Sequence, residues 1–485
     1  MNIQLEIIKK ASILIDKKRF NDARKILLDF KKKNSNIKID LKFYYTLYLA
    51  SNGLRETREA KKYLEKCIKI DNKNYVFLNN LANLFLKEGN YDKAEIFYLK
   101  SLSMKKNYLL AIVNLAILYQ NLGKFDESKK YYLEAIELSP KRISLYFNLS
   151  RIDDNFIDEK KIKFLTELLF NEDQELSEKS FGYFLLANNE RKKKNYKLEL
   201  DYLKKANKFN FESMKSVNEK TLDYWKNTIT KKFKNFKFIN ENESENKNLR
   251  KLKPVFIIGL PRSGSTITEV LLRANSEKIS SLGEISVFNG VIAKGFDKRE
   301  NNEIDLNYIG NIIYNTLINK KFNFKNQIFI DKSLENFFYI DVILKIFPKA
   351  IFVNTTRNIE DNIFAIYKQS LSKLSWTHTV KDILEYVDNY LKIINYFSKK
   401  YPNKIFSIDL ENLTNNSKEF AKKLYDFCDL EWSDEALNFH NRKDLLISTA
   451  SNIQVRDKIK EYDINKYKPY RILLKNFQTK YGWLS

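Results

Sequence analysis

The segment Gly259-Leu260-Pro261-Arg262-Ser263-Gly264-Ser265-Thr266 has the residue types and spacing to hold a phosphate or a sulfate. It follows a short apolar run, Val255 to Gly259, and opens a stretch in which Ile267, Val270 and Leu271 recur at helical spacing. Glycines let a strand-to-helix turn curl until its backbone N–H groups converge, and a helix N-terminus adds partial positive charge, so the segment predicts an anion cradle. A nucleoside triphosphatase loop needs lysine before its last serine or threonine to reach the β- and γ-phosphates, and here Ser265 stands in that place. Ordinary ATPase or kinase chemistry is thereby disfavoured. Arg262, inside the loop, still supplies a fixed charge and a two-pronged donor suited to phosphate or sulfate.

Such a loop needs a sheet behind it. Four short apolar runs, Val255 to Gly259, Gln327 to Ile330, Ala350 to Asn354 and Lys404 to Ile408, alternate with long helical stretches. That alternation predicts βαβ units and a central parallel sheet over residues 253–485. The polar, acidic stretch Asn240 to Asn248 reads as a linker, and 211–252 as a helical extension ending in it. Before residue 210 the pattern is repetitive. Gly89 and Gly123 lie 34 residues apart, and Ala82/Ala116, Tyr91/Phe125, Ala94/Ser128 and Tyr98/Tyr132 coincide at the same offset. The small residues suit the close crossing of two helices, the aromatics fill gaps between successive hairpins, and Pro140 stops the second unit. These units resemble the tetratricopeptide repeat family. Ala60 and Cys67 continue the register backwards, while Phe20/Ala23 and Ala187/Tyr196/Ala206 resemble diverged units, so about five or six helical hairpins are expected over residues 1–210.

Pro261-Arg262-Ser263-Gly264-Ser265-Thr266 also resembles the PRSG[ST]T loop of the sulfotransferase superfamily, over roughly residues 253 to 485. The order of repeats followed by transferase makes the chain most similar to bacterial tyrosylprotein sulfotransferase-like proteins. The resemblance implies that the loop binds the 5′-phosphosulfate of 3′-phosphoadenosine-5′-phosphosulfate (PAPS), with no metal. It further implies that Arg357, in Thr355-Thr356-Arg357-Asn358, holds the 3′-phosphate; the family's serine eight residues later is Ala365 here. A protonated phenol or alcohol is a poor nucleophile, so transfer needs a base. In Leu282-Gly283-Glu284, Glu284 stands where similar enzymes carry it. Lys332, in Asp331-Lys332-Ser333-Leu334-Glu335-Asn336, matches the family's DKxxxN lysine near the sulfate and bridging oxygen, able to stabilise charge on the leaving phosphate. Ser451, placed by its spacing to Gln454-Val455, matches a serine on the leaving-group side, and Tyr467 stands where the family usually has tryptophan. His378 is a rival base without a matching motif, and His440 reads as structural.

Composition sets the remaining bounds. At 485 residues the chain has material for two to four domains, and 44% hydrophobic with 30% charged residues is a globular balance. Its 86 basic and 61 acidic residues give a net charge of +25, a field attractive to polyanions, yet no nucleic-acid-binding motif accompanies it. Two distant cysteines, Cys67 and Cys428, make neither a disulfide framework nor a metal pair, and two histidines are too few for a multi-histidine zinc site. Without a signal peptide or an apolar run of ~18 residues, the sequence reads as soluble and cytoplasmic, with no membrane span. The expected architecture is an N-terminal tetratricopeptide-like α-solenoid followed by a P-loop-type α/β domain with a central parallel sheet. The expected function is PAPS-dependent sulfuryl transfer to an acceptor hydroxyl, with protein tyrosine docked by the repeat groove as a candidate acceptor. The alternative, motivated by Ala365, is a repeat scaffold whose α/β domain binds a nucleotide without turnover.

Overall fold

The computed structural model describes residues 3–170, 173–239, 246–274, 279–296, 303–320, 322–442, 447 and 453–484. The chain divides into two compact units, one of residues 1–120, 124–140 and 317–321, the other of residues 121–123, 141–316 and 322–485. Among the described residues no helix is long and apolar enough to cross a membrane.

Up to Ser213 the described chain is helical and arranged in consecutive pairs, for example Leu41–Gly53 with Thr57–Ile70 and Tyr75–Lys87 with Tyr91–Met104. Local chemistry sets the ends. The Asn74 side chain accepts hydrogen bonds from the N–H groups of Val76 and Phe77, and Asn90 accepts from that of Lys93, satisfying first-turn donors that have no helical partner. Gly89 and Gly123 leave their helices at φ 76° and 77°, where a side chain would be strained. The bonds after them repeat with the sequence: Asn90 N–H donates to Phe85 O and Lys124 N–H to Tyr119 O, each at 2.9 Å. Ala82, Ala94, Ala116 and Ser128, together with the Tyr98 and Tyr132 rings, are fully buried, as the 34-residue spacing predicts. The Ser128 hydroxyl donates to the Ala116 carbonyl at 2.7 Å, so the exchange of alanine for serine leaves no buried hydroxyl unpaired.

In the second unit five strands form one parallel sheet. In chain order the strands of the molecule are β1 (Lys237–Ile239), β2 (Val255–Gly259), β3 (Ser280–Ser281), β4 (Glu303–Asp305), β5 (Phe329–Asp331), β6 (Ile351–Thr356) and β7 (Ile405–Asp409). The sheet order is β3-β5-β2-β6-β7, while β1 and β4 make a separate parallel pair. Four of the five sheet strands match the apolar runs of the sequence. The fifth, β3, is two serines without alternation, and the β1–β4 pair has three residues a side, too few to reveal a period. All five residues of β2 are buried, as befits a central strand covered on both faces. Val255 and Ile257 join a cluster with Val270, Leu271, Ile330 and Val353. Phe256, pointing the other way, lies 5.5 to 6.3 Å from the rings of Phe352, Phe347 and Phe329.

The chain leaves β2 for β3 and β5 on one side and then crosses to β6 and β7 on the other. The loops after β2 and β6 therefore emerge side by side, where an open parallel sheet leaves a crevice at its carboxyl ends. The helices of residues 141–229 belong to this same unit. Among them, Asn207 Nδ2 donates to the Tyr367 carbonyl at 3.0 Å and Lys226 pairs with Asp382 at 2.6 Å.

Candidate active site

The phosphate-type loop is fixed by the β2–β6 pairing, which sets Gly259 opposite Thr355. Gly259 has φ 136°, and a Cβ there would lie 2.5 Å from the Thr355 carbonyl oxygen, so no other residue fits. Ser263 Oγ donates to the Leu260 carbonyl at 2.7 Å and lies 2.8 Å from Thr355 Oγ1. Asn362 Nδ2, from the helix after β6, donates to the Pro261 carbonyl at 2.8 Å. Arg262 itself sits at φ 67°, a left-handed conformation unfavourable for a side-chain-bearing residue. Strain held in place by several hydrogen bonds is common where a backbone must present its N–H groups to a ligand. The helix Ser265–Ala274 begins immediately after, and its first-turn N–H groups complete the cradle.

Two arginines meet at this loop. Arg357 Nη1 donates to the Arg262 carbonyl at 3.3 Å, and its Nε donates to Tyr462 Oη at 3.0 Å. The guanidinium also lies 5.0 Å from the ring centroids of both Tyr462 and Tyr467. Burial opposes the charge of Arg357, but Tyr467, Tyr462 and Asp361 outweigh it and raise its pKa above the ordinary value. Arg262 behaves oppositely: burial lowers its pKa, and attraction from Tyr467 is opposed by repulsion from Arg357 and Arg151. An anion between the two arginines would relieve that repulsion.

Glu284 and Lys332 are brought together by backbone pairing. The β3–β5 ladder continues past its strands through Leu282 N–H to Ile330 O at 2.9 Å and Lys332 N–H to Gly283 O at 3.0 Å. The result is a 2.7 Å ion pair between Lys332 Nζ and Glu284 Oε1. The Lys332 side chain is 2% exposed and also lies 3.7 Å from Glu269 Oε2, whereas the Glu284 side chain is 56% exposed. Glu269 in turn accepts from Ser281 Oγ at 2.5 Å. Asp331, buried at the end of β5, accepts from Ser333 N–H at 2.8 Å, and burial pushes its pKa up to about 6.

A cleft of about 250 Å³ joins these parts. Pro261, Arg262, Ser265, Thr266 and Glu284 line it, with Ser286, Ser333, Leu334 and Glu335 beyond Glu284. Ser263, bonded to Thr355, and Gly264 do not line it, and Arg357 and Lys332 stand outside the cleft wall. Ser451 lies outside the described residues. His378 is buried with neither ring nitrogen hydrogen-bonded among the described residues, does not line the cleft, and burial lowers its pKa to about 4. Sequence reasoning did not find Glu269, Asn362 or Tyr462. Each acts through a partner distant in the chain, and only the match of Tyr467 to a family aromatic position offered a signal.

Residues 254–434 match the sulfotransferase family, and residues 42–74, 63–96 and 110–142 match tetratricopeptide repeats. A curated protein of Aquifex aeolicus (strain VF5), described as an uncharacterized protein, is 26% identical over 235 residues. That match covers 45% of this chain and 31% of the relative, so the chain spans about a third of its length. Among solved structures, the sulfotransferase domain of the Synechococcus PCC 7002 olefin synthase is 14% identical, with 48% of this chain and 90% of that one covered and a TM-score of 0.36. A tetratricopeptide repeat protein from Parabacteroides merdae ATCC 43184 is 16% identical, with 44% and 92% covered and a TM-score of 0.32. Residues 254–434, which match the sulfotransferase family, thus follow in sequence the segments that match tetratricopeptide repeats.

Proposed function

We propose that the protein transfers a sulfuryl group from PAPS to an acceptor hydroxyl, a tyrosine phenol being one candidate. The observation that carries this reading is a single cleft with the anion-cradling loop on one wall and Glu284 on the other. The residues present suit a donor with two separate anionic groups. The loop N–H groups, Ser265, Thr266 and Arg262 would hold the 5′ end, and Arg357, fixed against the Arg262 carbonyl, would hold the 3′-phosphate. When bound, the donor supplies the sulfuryl group, its S–O bond to the 5′-phosphate breaking as the bond to the acceptor oxygen forms.

Glu284 takes the acceptor's hydroxyl proton. Lys332 holds Oε1 of that carboxylate, and Oε2 has no hydrogen bond among the described residues and is open to receive the proton. The buried Lys332 ammonium, held between Glu284 and Glu269, places a fixed positive charge beside the reacting region. Ser451 extends this set by resemblance alone. The repeats offer a surface on which a protein or peptide acceptor could dock.

Glu284→Gln keeps the shape of the side chain and removes the base. Sulfate transfer should fall by roughly 10²- to 10⁴-fold while adenosine 3′,5′-bisphosphate binding, measured by calorimetry, stays within a few-fold of wild type. Unchanged transfer would remove Glu284 from the chemistry. Bisphosphate binding with no transfer in the wild-type protein would favour a nucleotide-binding scaffold, to which buried Ala365 in place of a serine already points.

A further inference from the structure

The cleft continues past Glu284 to a second carboxylate, Glu335, which neither the donor nor the proton transfer uses. Glu335 follows β5 in the turn Leu334–Tyr339, and its two oxygens are held by neutral donors. Asn289 Nδ2 donates to Oε2 at 2.6 Å and Tyr386 Oη donates to Oε1 at 3.2 Å. Among the described residues no lysine or arginine pairs with it, although the chain carries 86 of them. Burial raises its pKa, opposed by hydrogen bonds from Tyr386 and Trp376. A carboxylate drawn into a partly apolar wall without a cation carries a desolvation cost that a positive ligand group would offset.

The surroundings are shaped for such a group. Trp376 stacks on Tyr386 with centroids 3.8 Å apart and planes 5° from parallel, giving a rigid aromatic wall beside the carboxylate. Leu371 and Leu374 close the apolar side. One carboxylate lacking a cation and one aromatic wall therefore face one space of about 250 Å³.

Resting on the transferase reading above, we propose that the acceptor is a small hydroxyl compound that also carries a protonated amine. The ammonium sits against Glu335 and the Trp376–Tyr386 wall while the hydroxyl reaches Glu284. Glu335 is then a specificity-determining residue, distinct from the base.

The test compares tyramine with 4-ethylphenol, which has a similar ring and hydroxyl but no amine. Each is titrated calorimetrically into the full chain, with and without saturating adenosine 3′,5′-bisphosphate, and each is assayed as a sulfate acceptor. Wild type should bind tyramine at least tenfold more tightly, and Glu335→Gln should reduce that preference about tenfold. Equal affinity of wild type for the two phenols, or binding of neither, overturns the proposal without use of a variant. A preference that survives Glu335→Gln overturns the role of Glu335. If the amine preference fails while the bisphosphate still binds, the transferase reading stands without this acceptor class. If the bisphosphate does not bind, the donor reading falls, and the titrations without nucleotide still decide the amine preference.

Discussion

Replacing Arg357 by lysine keeps the charge at the proposed 3′-phosphate position and removes the geometry. The guanidinium makes two directed hydrogen bonds, to Tyr462 Oη at 3.0 Å and to the Arg262 carbonyl at 3.3 Å, and faces two aromatic rings at 5.0 Å each. A lysine ammonium has no plane to stack between Tyr462 and Tyr467, and one nitrogen cannot serve a tyrosine, a carbonyl and a phosphate together. Taking the upper end for a hydrogen bond to a charged group, the second N–H···O bond of a bidentate guanidinium–phosphate contact, gives a loss of about 3 kcal/mol. That corresponds to roughly 150-fold weaker binding of adenosine 3′,5′-bisphosphate. Calorimetry on wild type, Arg357→Lys and Arg357→Ala, with magnesium ATP as the control ligand, measures it. Arg357→Lys binding within threefold of wild type would refute the reasoning, because charge alone would then suffice.

Gly259→Ala places a methyl group 2.5 Å from the Thr355 carbonyl oxygen at φ 136°, so it should cost roughly 3 kcal/mol or more of stability. Thermal unfolding should show a large drop in Tm; an unchanged Tm would mean that β2 and β6 part easily. Two buried groups should give opposite pH dependences between about pH 4 and 6.5. The His378 pKa is lowered from 6.5 to about 4, so its share of stability is present above pH 6.5 and is lost as the pH falls towards 4. The Asp331 pKa is raised from 3.8 to about 6, so its share is present below 3.8 and is lost as the pH rises through 6. Each amounts to about 3 kcal/mol and the two largely cancel in wild type. Comparing Tm at pH 4.5 and 6.5, His378→Leu should gain relative stability in acid and Asp331→Asn should lose it. Variants that both follow the wild-type profile would exclude these titrations.

What the sequence revealed was local, and what it hid was not. The repeats are legible because each hairpin repeats the same contacts at a fixed interval, so Gly89 and Gly123 share a conformation as well as a residue type. The phosphate-type loop is legible because its glycines, its arginine and the helix after it are contiguous. Strand β3 is not, since two serines carry no alternation, and its strand character comes from pairing with β5. The Glu284–Lys332 pair spans 48 residues and entered the sequence reading only through resemblance. Glu335 and Asn289 lie 46 residues apart, and no spacing rule links an acidic residue in a turn to an amide in another helix. Tyr462, which anchors Arg357 from 105 residues away, sits in a stretch of short turns with no period to read.

That last separation bears on how the molecule comes into being. Every strand of the main sheet is complete by Asp409, so the scaffold of the cleft can collapse while the chain is still being synthesised. Arg357 cannot acquire its two tyrosines until residues 462 and 467 have emerged, so the surroundings of Arg357 are finished last. A newborn chain can thus hold a folded sheet and still be unable to grip a nucleotide. Chains cut short before Tyr462 would keep every strand of the sheet but lack both aromatic partners of Arg357, and they should bind adenosine 3′,5′-bisphosphate more weakly than the full chain.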